Sequence, residues 1–101
     1  MAYRPRILVV EDEPDVAELL RYHLTKDGYA VLISPTGGDV LRRARDARPD
    51  VILLDVTLPH LDGWDVCRRL KGELETRAIP IIMVTGRVDS TISSSTASAS
   101  R

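Results

Sequence analysis

The sequence predicts an α/β fold, a parallel sheet with helices on both faces, and three observations predict it. Short aliphatic runs recur at Arg6 to Val10, Val51 to Leu54 and Ile79 to Val84, each without the alternation of a half-exposed strand. Such runs, bounded by turn residues, read as strands buried on both faces of a parallel sheet. Between them lie segments whose apolar residues recur at helical spacing. The resulting order, strand and helix in alternation from first strand to fourth, requires crossover connections, which are right-handed. With 101 residues the chain has room for one domain and one modest core.

The first strand runs directly into Glu11, Asp12 and Glu13, and Pro14 then suits the first turn of a helix. Val16, Leu19, Leu20 and Leu24 are expected to form that helix's buried stripe, with His23 at its boundary. Asp27-Gly28 ends it, Gly28 taking a left-handed cap. Tyr29 to Ser34 is shorter and less uniformly apolar, as an edge strand would be. Thr36 and Asp39 resemble a capping box for a helix from about Asp39 to Ala47, which buries Val40, Leu41 and Ala44, turns its arginines to water and stops at Pro49. After the Val51 to Leu54 strand and a loop over Thr57 to Leu61, Asp62 is expected to cap a helix. Val66, Cys67 and Leu70 form its stripe and Trp64 folds onto its start. Lys71 to Arg77 is a polar connection into the fourth strand. From Arg87 the chain is nearly all Ser, Thr and Ala, too poor in apolar area to order itself, so 87–101 is expected to be a disordered tail.

Composition narrows the function classes. A net charge of -1 argues against a nucleic-acid footprint, which needs a concentrated basic face. One cysteine, Cys67, excludes an intrachain disulfide and offers no metal-ligand spacing, so a reducing cytoplasm is the expected setting. No apolar segment approaches bilayer length, and the start lacks a signal peptide's apolar region, so no membrane partner is expected.

The chemistry lies where the strands stop. Glu11, Asp12, Asp55 and Thr85 all fall at strand carboxyl ends, where ligands bind in open α/β sheets. If the strands of Asp12 and Asp55 are neighbours, up to three carboxylates converge. Such a cluster repels itself and should hold protons or recruit a hard cation. Mg²⁺ fits, since one or two carboxylates hold it and leave room for water and a phosphoryl oxygen. A carboxylate not consumed by the metal can attack phosphorus, and Asp55 is the candidate, with the Thr85 hydroxyl placed to donate to the transferred group.

With these residues in place the chain resembles the receiver domain of bacterial two-component response regulators. The likeness covers Ile7 to about Gly86 and rests on the ordered motifs ILVVEDEP, DVILLDVTLPHLDGWDVCRRL and IPIIMVTG. It implies a flavodoxin-like, doubly wound parallel sheet in the order 2-1-3-4-5. It further implies Asp55 as phosphoacceptor from the phosphohistidine of a sensor histidine kinase, and Mg²⁺ held by Asp12, Asp55, Glu11 and the Thr57 main-chain carbonyl. Thr85 becomes the switch hydroxyl, and Pro59 and Gly63 shape the pocket loop.

The departure from that family is a missing end. The fifth strand, its Lys-Pro pair and the flanking helices have no counterpart, and no lysine follows Lys71. The expectation is a partial receiver over 1–86, truncated or frameshifted after about Asp89, because a Ser-Thr-Ala run is what an amphipathic helix looks like out of frame. The fourth strand then becomes an apolar edge inviting self-association. Two other classes compete with the phosphoacceptor reading. One is a degenerate receiver fragment that only binds a partner. The other is a haloacid-dehalogenase-type phosphohydrolase, disfavoured because Thr57 stands where that family places a second Asp.

Overall fold

The computed structural model describes residues 3–55 and 63–84. The elements run β1 (Arg6–Val10), α1 (Pro14–Lys26), β2 (Ala30–Ser34), a single 3-10 turn (Gly37–Asp39), α2 (Val40–Ala47), β3 (Val51–Asp55), α3 (Gly63–Lys71) and β4 (Ile81–Val84). They build one four-stranded sheet in the order β2-β1-β3-β4, every pair parallel, as expected. The fourth strand starts two residues later than its aliphatic run. Pro80 has no N–H to give a ladder, although its carbonyl still accepts from Ile52 N at 3.0 Å. The expected 87–101 tail, the Thr57 to Leu61 loop, Pro59 and the Asp62 cap lie outside the described residues.

The two faces of the sheet are covered unequally. On one, Leu8, Val10, Ile52, Leu54, Ile81 and Met83 pack with Val40 and Ala44 of α2 and Val66 and Leu70 of α3 into a single buried cluster, against which Cys67 rests. On the other, Ile7 and Val9 are buried, and α1, which lies nearest β2, is the described element that covers them. Val51 and Leu53 of β3 and Ile82 and Val84 of β4 share that second face and stay half-buried.

This asymmetry corrects the expected stripe of α1. Ala17 is the helix's one fully buried residue, Leu20 and Leu24 are half-buried, and Val16 and Leu19 are exposed, Leu19 by 57%. The helical spacing was right, but the sheet lies under only part of the stripe. His23 is exposed rather than at the boundary. Trp64, expected to pack, is 66% exposed at the start of α3, where Gly63 and Val66 are the buried residues of the first turn.

Local chemistry explains where elements stop. Gly28 takes φ 99°, its N–H reaching Thr25 O at 3.0 Å while Tyr29 N reaches Leu24 O at 3.0 Å, a complete Schellman end. Arg48, at φ 49°, ends α2 one residue before Pro49. The expected capping box does not form. Thr36 makes no side-chain cap bond, and Asp39 accepts instead from Arg42 at 2.8 Å and Arg43 at 3.0 Å. The connection after α3 is less polar than its composition suggests, for Thr76 is fully buried and donates to Leu70 O at 2.6 Å.

Burial decides what truncation does. Leu54→Ala should cost about 2 to 5 kcal/mol, whereas Leu19→Ala should stay within about 0.5 kcal/mol, compared by urea unfolding at equal slope.

Candidate functional site at the strand ends

Parallel register sets the site. Val10 pairs with Leu54 across β1 and β3, so the next residue on each strand, Glu11 and Asp55, stands at the same level at the sheet's carboxyl edge. Asp55 in turn is level with Val84, the last residue of β4. A strand buried on both faces has no room for a carboxylate along its length, so the first place for one is its end.

Both carboxylates are buried, Glu11 at 5% exposure and Asp55 at 9%, and Asp12 is half-buried. Glu11 is fixed from two sides. Its N–H donates to Ser34 O at 3.1 Å, and its Oε2 accepts from Glu13 N at 3.2 Å. Burial pushes the Glu11 carboxyl above the usual range; the Glu13 N–H pulls it back, and the charges of Asp55, Asp12 and Glu13 push it further up.

The expected convergence is therefore electrostatic rather than a ready-made cage. Among the described residues no three His, Cys, Asp or Glu side chains gather closely enough to hold a metal ion. Mg²⁺ does not require such a cage, because it keeps several waters and is held by one or two carboxylates. Two buried acids at one level with a third beside them, Glu11 raised first by its burial and further by the neighbouring charges, are a donor set that fits a hard cation. Thr57 and Thr85, the other expected members, lie outside the described residues. Gly63 is buried at the start of α3.

Ser34 is the residue that sequence reasoning passed over. It is fully buried at the end of β2, donates from Oγ to Thr36 O at 3.0 Å and offers its carbonyl to Glu11. The available signal was a hydroxyl closing an aliphatic strand immediately before Pro35.

A raised carboxyl has a fixed consequence for stability. The folded chain binds the Glu11 proton more tightly than the unfolded chain does, so stability falls as pH rises from the ordinary glutamate value through the raised one. Glu11→Gln should flatten that fall and leave the chain more stable than wild type at neutral pH without metal, as read from unfolding midpoints across a pH series.

Comparison with known proteins agrees with this geometry. The family model described as the response regulator receiver domain matches residues 7–100. The transcriptional regulatory protein AfsQ1 of Streptomyces coelicolor is 41% identical over 85 residues, covering 84% of this chain and 36% of that protein. Protein PilH of Pseudomonas aeruginosa is 44% identical over 80 residues, covering 79% of this chain and 66% of that one. Among solved structures, the N-terminal domain of a response regulator receiver protein from Methanoculleus marisnigri superposes with a TM-score of 0.78 at 29% identity, covering 95% of this chain and 79% of that one. This chain thus spans about a third of the length of AfsQ1 and two thirds of PilH. A matching family model over most of the sequence, on a 2-1-3-4 parallel sheet with its acids at the strand ends, places the chain in the response regulator receiver domain family.

Proposed function

We propose that the chain is the phosphoacceptor module of a two-component phosphorelay, with Asp55 taking a phosphoryl group from the phosphohistidine of a sensor histidine kinase. The observation that carries this reading is the buried Asp55 carboxylate ending the central strand, level with buried Glu11 on the neighbouring strand.

The step needs little from the protein. A carboxylate oxygen of Asp55 attacks phosphorus, a P–O bond forms, and the P–N bond to the donor imidazole breaks with its electron pair leaving on nitrogen. Glu11, Asp12, Asp55 and the Thr57 carbonyl are the groups we assign to Mg²⁺, which when bound offsets the charge of phosphoryl oxygens and carboxylates together. Burial of the acids excludes water from the attacking group's flank and holds it in one orientation. Thr85, the residue after Val84, is assigned as the hydroxyl that donates to the phosphoryl group and signals its arrival. We assign the receiver unit to 1–86 and a cytoplasmic setting. Among the described residues no helix is long and apolar enough to cross a membrane. On this reading the chain catalyses its own phosphorylation and dephosphorylation at most, and a phosphohydrolase is not favoured.

Intact mass after incubation with Mg²⁺ and acetyl phosphate tests the proposal. Wild type should gain one phosphoryl group, and Asp55→Asn or excess chelator should abolish the gain. Asp12→Asn should slow it by about tenfold or more, since even outer partners of a metal site cost that much. A folded wild type that gains nothing would leave only the partner-binding fragment.

A further inference from the structure

We infer that Ser34 is a positioning residue of the strand-end site, its hydroxyl fixing the carbonyl that holds Glu11, a role that takes its chemistry from the phosphoacceptor reading. Among the described residues four buried side chains are polar or charged: Glu11, Ser34, Asp55 and Thr76. Thr76 is spent near the end of α3, where it donates to Leu70 O. The other three stand on three neighbouring strands at the carboxyl edge. Ser34 is level with Val10, which is level with Leu54, and Glu11 and Asp55 follow one residue further out. β2 lies at the margin of the sheet and its other residues are only half-buried, so its one fully buried position is given to a hydroxyl.

The hydroxyl acts through its own main chain. Ser34 Oγ donates to Thr36 O at 3.0 Å, closing a ring over Pro35, and Thr36 is itself extended at φ -137° and ψ 154°. A residue before proline is already confined to extended backbone, so with the ring closed the Ser34 carbonyl keeps a single direction. That direction is toward β1, where it accepts from Glu11 N at 3.1 Å. Glu11 is then held twice, its main chain by Ser34 and its carboxylate by the Glu13 N–H at 3.2 Å. Between those two bonds the side chain has little freedom to leave the carboxyl edge.

What Ser34 supplies is orientation rather than charge. Buried carboxylates repel one another, and a hard cation gains most from Glu11 and Asp55 where both are already in place. A group that holds a metal ligand without touching the ion matters for that reason, and its loss typically lowers metal affinity about tenfold to a hundredfold. Ser34 stands in that relation to Glu11. It bears no charge, its hydroxyl proton is spent on Thr36, and it reaches the acids through the bond to Glu11 N.

Two readouts on the full chain test the role: Mg²⁺ titration followed by the nuclear magnetic resonance amide signals of Glu11, Asp12 and Asp55, and hydrogen exchange of the Glu11 N–H without metal. Threonine and valine share a shape and differ in the hydroxyl, so Ser34→Thr against Ser34→Val isolates it. Ser34→Val should bind Mg²⁺ about tenfold more weakly than Ser34→Thr. It should also exchange the Glu11 N–H faster, with Ser34→Thr close to wild type in both. Ser34→Ala, which adds no bulk, takes the place of Ser34→Val if that variant does not fold. Equality of the pair in either readout would overturn the inference. A wild type whose three amides ignore Mg²⁺ would instead remove the metal assignment of the phosphoacceptor reading. The exchange rates then decide alone, unequal rates upholding the hold of Ser34 on Glu11 and equal rates overturning it.

Discussion

The register between β1 and β3 is the constraint on which the site depends. A parallel ladder is evenly spaced, and once Ile7 is set against Val51 the remaining pairs follow to Val10 and Leu54. One residue further, both strands leave the apolar interior, and Glu11 and Asp55 emerge level with one another. A slip of one residue would invert which side chains of the slipped strand meet α2 and α3, moving Leu8 and Val10, or Ile52 and Leu54, out of the cluster they pack in. The cost of that exchange is borne by the core, so the core fixes the geometry of the acids. Packing and chemistry share one mechanism here.

The amino edge of the sheet is tied by different means. Asp50 precedes β3 and accepts from the Arg6 main-chain N–H at 2.8 Å and from the Tyr3 hydroxyl at 2.5 Å, while the Arg6 guanidinium bonds the Ala47 carbonyl. These contacts hold the Asp50 carboxyl below its usual range, with the Tyr3 hydroxyl the leading cause. They lie in water, where individual ion pairs and hydrogen bonds contribute little. Their value is positional, since they pin the start of β1 against the start of β3 and so reinforce the register that the core selects.

What was legible in the sequence follows from the same physics. Four strands, three helices, the sheet order implied by the family likeness and the level of the acids could be read because buried parallel strands leave an unbroken aliphatic signal. Gly28 could be read because a left-handed cap nearly demands glycine. The stripe of α1 was misjudged because periodicity reports that a face is apolar, not that something covers it. Trp64 was misjudged for the same reason. Ser34 and Thr76 were missed because a buried hydroxyl leaves no pattern of its own, its place being fixed by a carbonyl that only the fold brings near. The capping box at Thr36 failed because Asp39 found two guanidinium partners four residues on or nearer, and charge-assisted bonds outcompete a cap.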